Sequence, residues 1–389
     1  MSWATAKLSD VAPAKPLKAF HLHAEDLIWQ LNLDQIEANT GRLLERNIQP
    51  YSTAGSSTHW FDERHVLYSK LRPYLNKVIL PNQRGLGTTE LVPLLPDEKK
   101  LDRKYLAFYL RSKRFVEWVS LQTAGAKMPR VSMKLFWDHE IPLPSLATQQ
   151  KIAAILDTAD SLRQKDQQLV ERYTTLSQSL FLEMFGHLEL LPSMPLKQVS
   201  KFIDYRGKTP SKTESGIPLL TAKNIKVGYV SEQPREFISK NSYKEWMTRG
   251  FPKEGDILFT TEAPLGQAAL LPKYDDVAIA QRLICIQPFK GLNSYFLMYV
   301  FFSYFFKRQL FNRATGSTVK GVRSKELAKI SIPLPQIALQ NQFAERIKLI
   351  EAQKQQAQAS LHKSEALFNS LLQQAFTGEL TRAPMERAA

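Results

Sequence analysis

Ile141-Pro142-Leu143-Pro144 recurs as Ile332-Pro333-Leu334-Pro335, 191 positions further along the chain. At the same offset Gly125 meets Gly316, Val131 meets Val322, Lys134 meets Lys325 and Gln149 meets Gln340. Beyond the tetrapeptide, Leu176, Ser179, Leu180 and Phe185 meet Leu367, Ser370, Leu371 and Phe376. Before it, Leu67-Tyr68-Ser69 aligns with Leu258-Phe259-Thr260, Pro73 with Pro264, and Tyr105-Leu106 with Phe296-Leu297. An offset held without a gap over this distance marks an internal duplication.

Each copy reads as a mixed globular segment, an Ile-Pro-Leu-Pro connector and a long helix. The connector cannot be helical, because each proline pushes the residue before it into extended geometry. It is expected to mark a domain boundary. In the second segment, Asp256–Thr260, Ala278–Ala280 and Leu283–Ile286 carry the β-branched and aromatic residues of strands. The apolar run Tyr295–Phe306 follows as a helix and matches the amphipathic Tyr105–Phe115. Its length as a helix, about 18 Å, falls short of the roughly 30 Å of a bilayer core, so it is read as a buried helix.

From Leu146 to Phe185 there is neither Gly nor Pro. Apolar residues recur there at alternating spacings of three and four: Ile152, Ile155, Ala159, Leu162, Leu169, Tyr173, Leu176 and Leu180. Phe343, Ile347, Ile350, Ala357, Leu361, Phe368 and Leu371 repeat the pattern in the second copy. Sustained heptads predict a coiled coil. An antiparallel pairing in which residue numbers sum to 520 places Ile152 opposite Phe368 and Asp166 opposite Lys354. Intervening layers at 519 pair Ile155 with Ser364, Leu162 with Ala357, Leu169 with Ile350 and Leu176 with Phe343. Asp166 and Lys354 are then expected to fix the helix register, because a slip would leave both charges against apolar groups. The overlap predicts a rod of about 40 Å with a head at each end, close to the ~34–36 Å of one DNA turn.

The expected fold class is α/β: two mixed α/β domains related by the repeat, separated by two long antiparallel coiled-coil helices with pseudo-two-fold symmetry. The expected division is a first domain over 1–144, a helix over 145–187, a second domain over 188–336, a helix over 337–380 and a tail over 381–389.

The net charge of +15 is unevenly spread. Residues 1–144 carry 20 Lys/Arg against 15 Asp/Glu, and residues 190–337 carry 22 against 11, while the helical stretches are near neutral. Two basic segments are the footprint of two polyanion-binding heads. The single cysteine, Cys285, excludes an internal disulfide and fits a reducing cytoplasm. Met1–Asp10 lacks the basic start and apolar run of a signal peptide. A cytoplasmic protein without a membrane segment is expected.

Motifs for catalysis are missing. There is no Walker-type phosphate loop, no Asn-Pro-Pro or Asp-Pro-Pro for amino-methyl transfer, and no glycine-rich cofactor loop. Pro96-Asp97 with Glu98-Lys99-Lys100 reads as a solvated turn rather than a nuclease metal site. His21, His23, His59 and His65 lack partners at metal-ligand spacing.

Several stretches together resemble one family. They are Gly255-Asp256-Ile257-Leu258-Phe259-Thr260-Thr261-Glu262-Ala263-Pro264-Leu265-Gly266, its counterpart Ser69-Lys70-Leu71-Arg72-Pro73-Tyr74-Leu75, Asp204-Tyr205-Arg206-Gly207-Lys208-Thr209-Pro210 and Leu220-Thr221-Ala222-Lys223-Asn224-Ile225. With the two prolyl connectors, each followed by a Gln-bearing helix, and the ending Ala375-Phe376-Thr377-Gly378-Glu379-Leu380, the whole chain resembles the specificity (S) subunit of type I restriction-modification systems. It departs most between His21 and Thr58.

The resemblance implies two target-recognition domains, each reading half of an asymmetric bipartite site in double-stranded DNA. It also implies helices that dock two methyltransferase (M) subunits, with restriction (R) subunits completing the complex. S-adenosylmethionine, ATP and Mg²⁺ would be bound by those partners, and this chain would hold neither cofactor, metal nor catalytic residue. Loops bearing Arg, Lys, Asn and Thr near glycine or proline suit phosphate and base-edge contacts. On that ground the DNA-contacting residues are expected to be Arg206, Lys208, Lys223, Asn224, Thr261, Lys320 and Arg323 in the second head, and Lys70, Arg72, Lys127 and Arg130 in the first. Other readings are a specificity subunit for a type II methyltransferase-nuclease, a bridging coiled-coil protein that binds no DNA, and a nuclease or methyltransferase acting alone.

Overall fold

The structure, a computed structural model, describes residues 3–19, 21–205, 209–280 and 282–381. The chain divides into two compact units, Met1–Gln168 with Ala357–Ala389, and Leu169–Gln356. Each unit keeps one half of either long helix. Those helices are Leu146–Phe185, of 40 residues, and Ile337–Ala375, of 39. Both fill runs free of the two residues most hostile to helix interiors.

The prolyl connector is more than a boundary. In the first unit Thr5–Lys7 pairs antiparallel with Glu140–Pro142, Ala6 opposite Ile141. In the second, Ser193–Pro195 pairs with Ser331–Pro333, Met194 opposite Ile332. Ile141 and Ile332 are fully buried. The connector thus ties the first strand of a unit to the last before the helix departs. Proline is tolerated because a two-stranded ladder consists of edges.

Both units are built on open, mixed sheets. In the first, Val66–Ser69 lies between Val78–Ile79 and Leu91–Leu94, all antiparallel. A second sheet runs Ile48–Pro50, Leu27–Leu31, Gly85–Thr88, Thr58–Phe61, with Leu27–Leu31 parallel to Gly85–Thr88. In the second unit Ile257–Thr260 lies between Ala268–Leu270 and Leu283–Pro288, and Ser200–Asp204 adds a fourth strand. Its other sheet runs Lys212–Thr213, Phe237–Ile238, Ile217–Leu220, Ala278–Ile279, again with one parallel pair. Every residue of Val66–Ser69 and of Ile257–Thr260 is buried, which is why these strands read as near-continuous apolar runs rather than alternating ones.

Tyr295–Phe306, expected as one helix, is broken. Ser294–Phe302 and Tyr304–Arg313 are separate helices, and Ser303 between them is extended at φ −68°, ψ 153°. Its Oγ accepts from Phe306 N at 3.3 Å. The first unit breaks at the equivalent Ser112, between Arg103–Arg111 and Lys113–Leu121, where Oγ accepts from Phe115 N. Serine is a strong N-cap, and its neighbours hide the signal, aromatic residues around Ser303 and the helix-forming Arg111, Lys113 and Arg114 around Ser112. Among the described residues no helix is long and apolar enough to cross a membrane.

The long helices run antiparallel within each unit. In the first, Ile152, Ala153, Leu156 and Ala159 share a core with Phe368, Leu372, Ala375 and Phe376. In the second, Phe181 and Phe185 share a core with Phe343 and Ile347. Start meets end each time.

The register differs from the expected one. Ser177 Oγ donates to Glu351 Oε1 at 3.2 Å, where the sum of 520 sets Leu169 opposite Glu351. Arg163 stacks on Phe368 at 5.6 Å, where that sum sets Ile152 opposite the ring. The pairing is displaced by roughly two turns. Ile155, Leu162, Leu169 and Leu176, expected in the seam, are 39–49% exposed. Lys354, expected to meet Asp166, pairs at 3.7 Å with Glu351 of its own helix. Asp166 is half-buried and has no ion pair among the described residues. The cause is that several buried stations are polar: Asp160, Arg163, Ser177 and Ser364 are all buried. A seam traced through apolar residues passes them by.

Candidate nucleic-acid interface

In the first unit the strand Val66–Ser69 continues into Lys70, Leu71 and Arg72, and a hairpin lies against it. The hairpin pairs Thr123–Ala124 with Arg130–Val131. Val131 N donates to Lys70 O at 2.9 Å, Arg72 N donates to Pro129 O at 2.8 Å, and Leu71 bridges Arg130. Lys70, Arg72, Lys127 and Arg130, chosen from two distant stretches, therefore come together. The hairpin depends on Gly125, whose φ of +97° would strain any other residue and whose Cβ would approach Met128 O to 3.2 Å. Gly316 repeats this at φ +111°.

These four side chains are not equivalent. Arg72 and Lys127 are exposed and have no ion pair among the described residues. Lys70 is half-buried. Arg130 is engaged by Glu90, with Nε and Nη2 donating to Oε1 at 2.9 and 2.8 Å. The pairing lifts the guanidinium pKa further, so the charge is permanent and its position is set by Glu90.

The second unit repeats the scaffold with other side chains. Val322 N donates to Thr261 O at 2.9 Å, and Glu262 bridges Gly321. Arg282 Nε lies 2.7 Å from Glu262 Oε1. Each unit thus pins its loops with one Arg–carboxylate pair, formed from different positions. Lys320 and Arg323 are exposed, and the Lys320 ammonium sits 5.8 Å from the Phe311 ring. Lys223 is exposed and shares a surface cleft with Thr209, Lys212 and Arg282.

Two expected contacts have other work. Asn224 is 2% exposed; its Oδ1 accepts from Thr221 N at 3.0 Å, and its Nδ2 donates to Ser231 O at 3.1 Å and Pro234 O at 2.9 Å. All its hydrogen-bonding capacity serves the turn, leaving none for a base. Thr261 is also 2% exposed, its backbone spent on Arg282 and Val322. Arg206 and Lys208 lie outside the described residues.

Sequence reasoning missed Arg282. It has φ +63°, and Arg72 and Ala263 at equivalent places have φ +49° and +45°. Non-glycine residues in this region carry local strain and cluster at functional loops. For Arg72 and Ala263 the only sequence cue is the following proline.

Comparison with known proteins bears on the family and the fold. The type I restriction modification DNA specificity domain matches residues 62–172 and 193–361. The specificity subunit of the type I restriction enzyme MjaVIII from Methanocaldococcus jannaschii is 25% identical over 324 residues, covering 76% of this chain and 75% of that protein. The EcoKI specificity subunit of Escherichia coli is 25% identical over 316 residues, covering 74% and 68%. The S subunit of a type I restriction-modification system from M. genitalium superposes with a TM-score of 0.60 at 14% identity, over 96% of each chain. At that identity the likeness speaks for the fold.

Proposed function

From the premise that this chain belongs to the type I restriction-modification DNA specificity family, we propose that it is the sequence-reading subunit of a type I restriction enzyme. Each unit reads one half of an asymmetric bipartite DNA site. One observation carries the reading: a hairpin on a strand end, with exposed cations at its rim, is built twice at corresponding positions with different side chains. Equal scaffolds place two readers alike, and unequal side chains give them different half-sites.

The contacts proposed from the first unit are Arg72, Lys127, Lys70 and the Glu90-held Arg130. From the second they are Lys223, Lys320, Arg323 and Arg282, together with Arg206 and Lys208. Two methyltransferase subunits dock on the long helices, and restriction subunits join them. Docking is supported in each unit by apolar side chains left exposed on the long helix, Ile155 and Leu162 in the first and Leu169 and Leu176 in the second. S-adenosylmethionine, ATP and Mg²⁺ belong to those partners, and this chain contributes recognition without catalysis.

The test is co-expression with the methyltransferase encoded beside it, followed by mass measurement of the complex and sequencing of methylated host DNA. A complex of one chain with two methyltransferases, marking a single bipartite motif, is expected. A chain that neither pairs with a methyltransferase nor prefers any DNA overturns the proposal.

A further inference from the structure

The repeat gives each buried side chain of one unit a counterpart in the other, and at one station the counterpart has lost its bulk. In the first unit Phe368 is buried beneath two guanidinium groups, Arg111 at 5.4 Å and Arg163 at 5.6 Å from the ring centre. Both arginines reach Asp160, at 3.1 and 2.6 Å. Phe108 closes the group, 6.2 Å from Phe368. Ring, cations and carboxylate fill the space completely enough that Arg111, Asp160 and Arg163 are all buried.

In the second unit, 191 residues on, Asp160, Arg163 and Phe108 become Glu351, Lys354 and Tyr299. Glu351 Oε1 accepts from Tyr299 Oη at 2.6 Å and from Ser177 Oγ at 3.2 Å, with the Lys354 ammonium 3.7 Å away. Phe368 is matched here by Ser177, and Arg111 by Phe302. The ring of Phe368 has no counterpart, and the cation of Arg111 is exchanged for the ring of Phe302. In their place is a cavity of about 590 Å³ whose lining includes Ser177, Phe181, Tyr299, Phe302, Glu351 and Lys354. Its size falls within the roughly 300–1,000 Å³ of small-ligand sites, and apolar walls with a few convergent polar groups are what such sites use.

We propose that this cavity binds an aromatic group carrying a cationic head. The ring fills the volume that Phe368 fills in the first unit, and the cation takes the place of Arg111 beside the carboxylate. Glu351 has one cation at 3.7 Å where Asp160 has two at 3.1 Å or closer, so a second positive group is electrostatically favoured. The rings of Tyr299, Phe181 and Phe302 in the lining add attraction for both ring and cation. The carrier is a free small molecule or the side chains of an assembled subunit, which present the same chemistry. The inference stands independently of the DNA reading.

Benzamidine, a planar ring with an amidinium head, is the probe, and neutral benzamide is its control, each titrated calorimetrically into the full chain. Benzamidine is expected to bind about tenfold or more tighter than benzamide. Ser177→Phe, which gives the second unit the ring of the first, should abolish binding while melting at or above the wild-type temperature. Ser177→Leu fills the cavity less completely and should weaken binding without abolishing it. Glu351→Gln should bring benzamidine down to the affinity of benzamide. A wild-type chain that ignores benzamidine, or a folded Ser177→Phe or Ser177→Leu chain that binds it undiminished, overturns the proposal. Repeating the titration on the chain assembled with its methyltransferase separates the two sources. Binding lost on assembly identifies a subunit side chain as the occupant, and binding retained identifies a free ligand.

Discussion

Gln149 and Gln340 stand at the same place in the two units and make the same three hydrogen bonds. Gln149 accepts from Asp102 N and donates to Lys100 O and Pro144 O, each at 2.9 Å. Gln340 accepts from Asn293 N at 2.9 Å and donates to Gly291 O at 3.3 Å and Pro335 O at 2.8 Å. Each partner is 191 residues from its counterpart. Asp102 and Asn293 are themselves N-caps, of the helices Arg103–Arg111 and Ser294–Phe302. One buried amide therefore joins three things: the first turn of a long helix, the last proline before it, and the cap of a core helix. The direction in which the long helix leaves the unit is fixed by this joint.

Gln340→Leu should accordingly destabilise the chain by about 2 kcal/mol, because it keeps the bulk but takes the amide from the partly buried Asn293 N–H, the Gly291 carbonyl and the buried bond to Pro335 O. The exposed neighbour Gln336, changed to alanine, should stay within about 0.5 kcal/mol. Urea denaturation compares the two, and equal midpoints would remove the amide's role as a joint.

The Asp160 station predicts an asymmetric pair of mutants. Burial alone would raise the Asp160 carboxyl, but Arg111 and Arg163 hold it below its ordinary value. Burial also lowers Arg111, against the pull of Asp160. Arg111 Nε and Nη2 have no partner among the described residues, so Asp160 is its main support. Asp160→Ala should cost about 3–5 kcal/mol by leaving a buried charge uncompensated. Because Arg163 also rests on Asp160, only the triple change Arg111→Met, Arg163→Met and Asp160→Leu should restore most of that loss. A triple variant no more stable than Asp160→Ala would show that the three residues do not act as one unit.

The sequence reveals the repeat, the helix spans and the antiparallel sense, because each is written in residue type and spacing over a long stretch. The helix register was illegible for a physical reason. Apolar periodicity assumes that the seam is apolar, and here Asp160, Arg163, Ser177 and Ser364 are buried while Ile155 and Leu176 face outward. The break at Ser303 is hidden by the apolar residues around a single capping hydroxyl, and that at Ser112 by the good helix formers Arg111, Lys113 and Arg114 beside it. At the candidate interface the repeat was enough to bring Lys70 and Arg72 to Lys127 and Arg130. It could not show that Asn224 spends its whole amide on a turn, nor that Arg282 is held by Glu262, since both depend on contacts between loops.

His139 should give the first unit a specific response to acid. Its ring packs on Trp118, centroids 3.9 Å apart and planes inclined at 37°, and its Nε2 lies 2.8 Å from Tyr109 Oη. Burial, helped by Arg114, lowers its pKa from 6.5 to about 4. In the unfolded chain the imidazole takes up a proton near 6.5, whereas in the folded chain it does so only near 4. The stability it contributes is therefore present above pH 6.5, is lost as pH falls towards 4, and is level below that. With the ring only half-buried, solvent screening holds the loss to about 1–2 kcal/mol. His139→Phe should flatten the stability curve between those limits relative to wild type, and curves of equal slope would exclude the assignment.

The loop cations should separate from the turn residues by their salt dependence. Lys127 and Lys320 are exposed on equivalent hairpins, and neither has an ion pair among the described residues. Each counterion released on contact with phosphate contributes close to one unit of slope in log affinity against log salt. Lys127→Ala and Lys320→Ala should each weaken all DNA sequences alike and reduce that slope by about 1. Arg130→Ala should do so too, and it should also leave Glu90 without its cation, with one carboxylate oxygen already buried and unpartnered, so a loss of stability is expected alongside. Asn224→Ala should instead lower stability by about 2 kcal/mol, through the lost turn bonds, and leave the slope unchanged in protein that remains folded. Measured by fluorescence anisotropy on the methyltransferase complex at several salt concentrations, a slope unaltered in Lys127→Ala and Lys320→Ala would take the hairpins out of the DNA interface. A slope altered in Asn224→Ala would mean that this turn, although its side chain is buried, is what presents Lys223 to the phosphates.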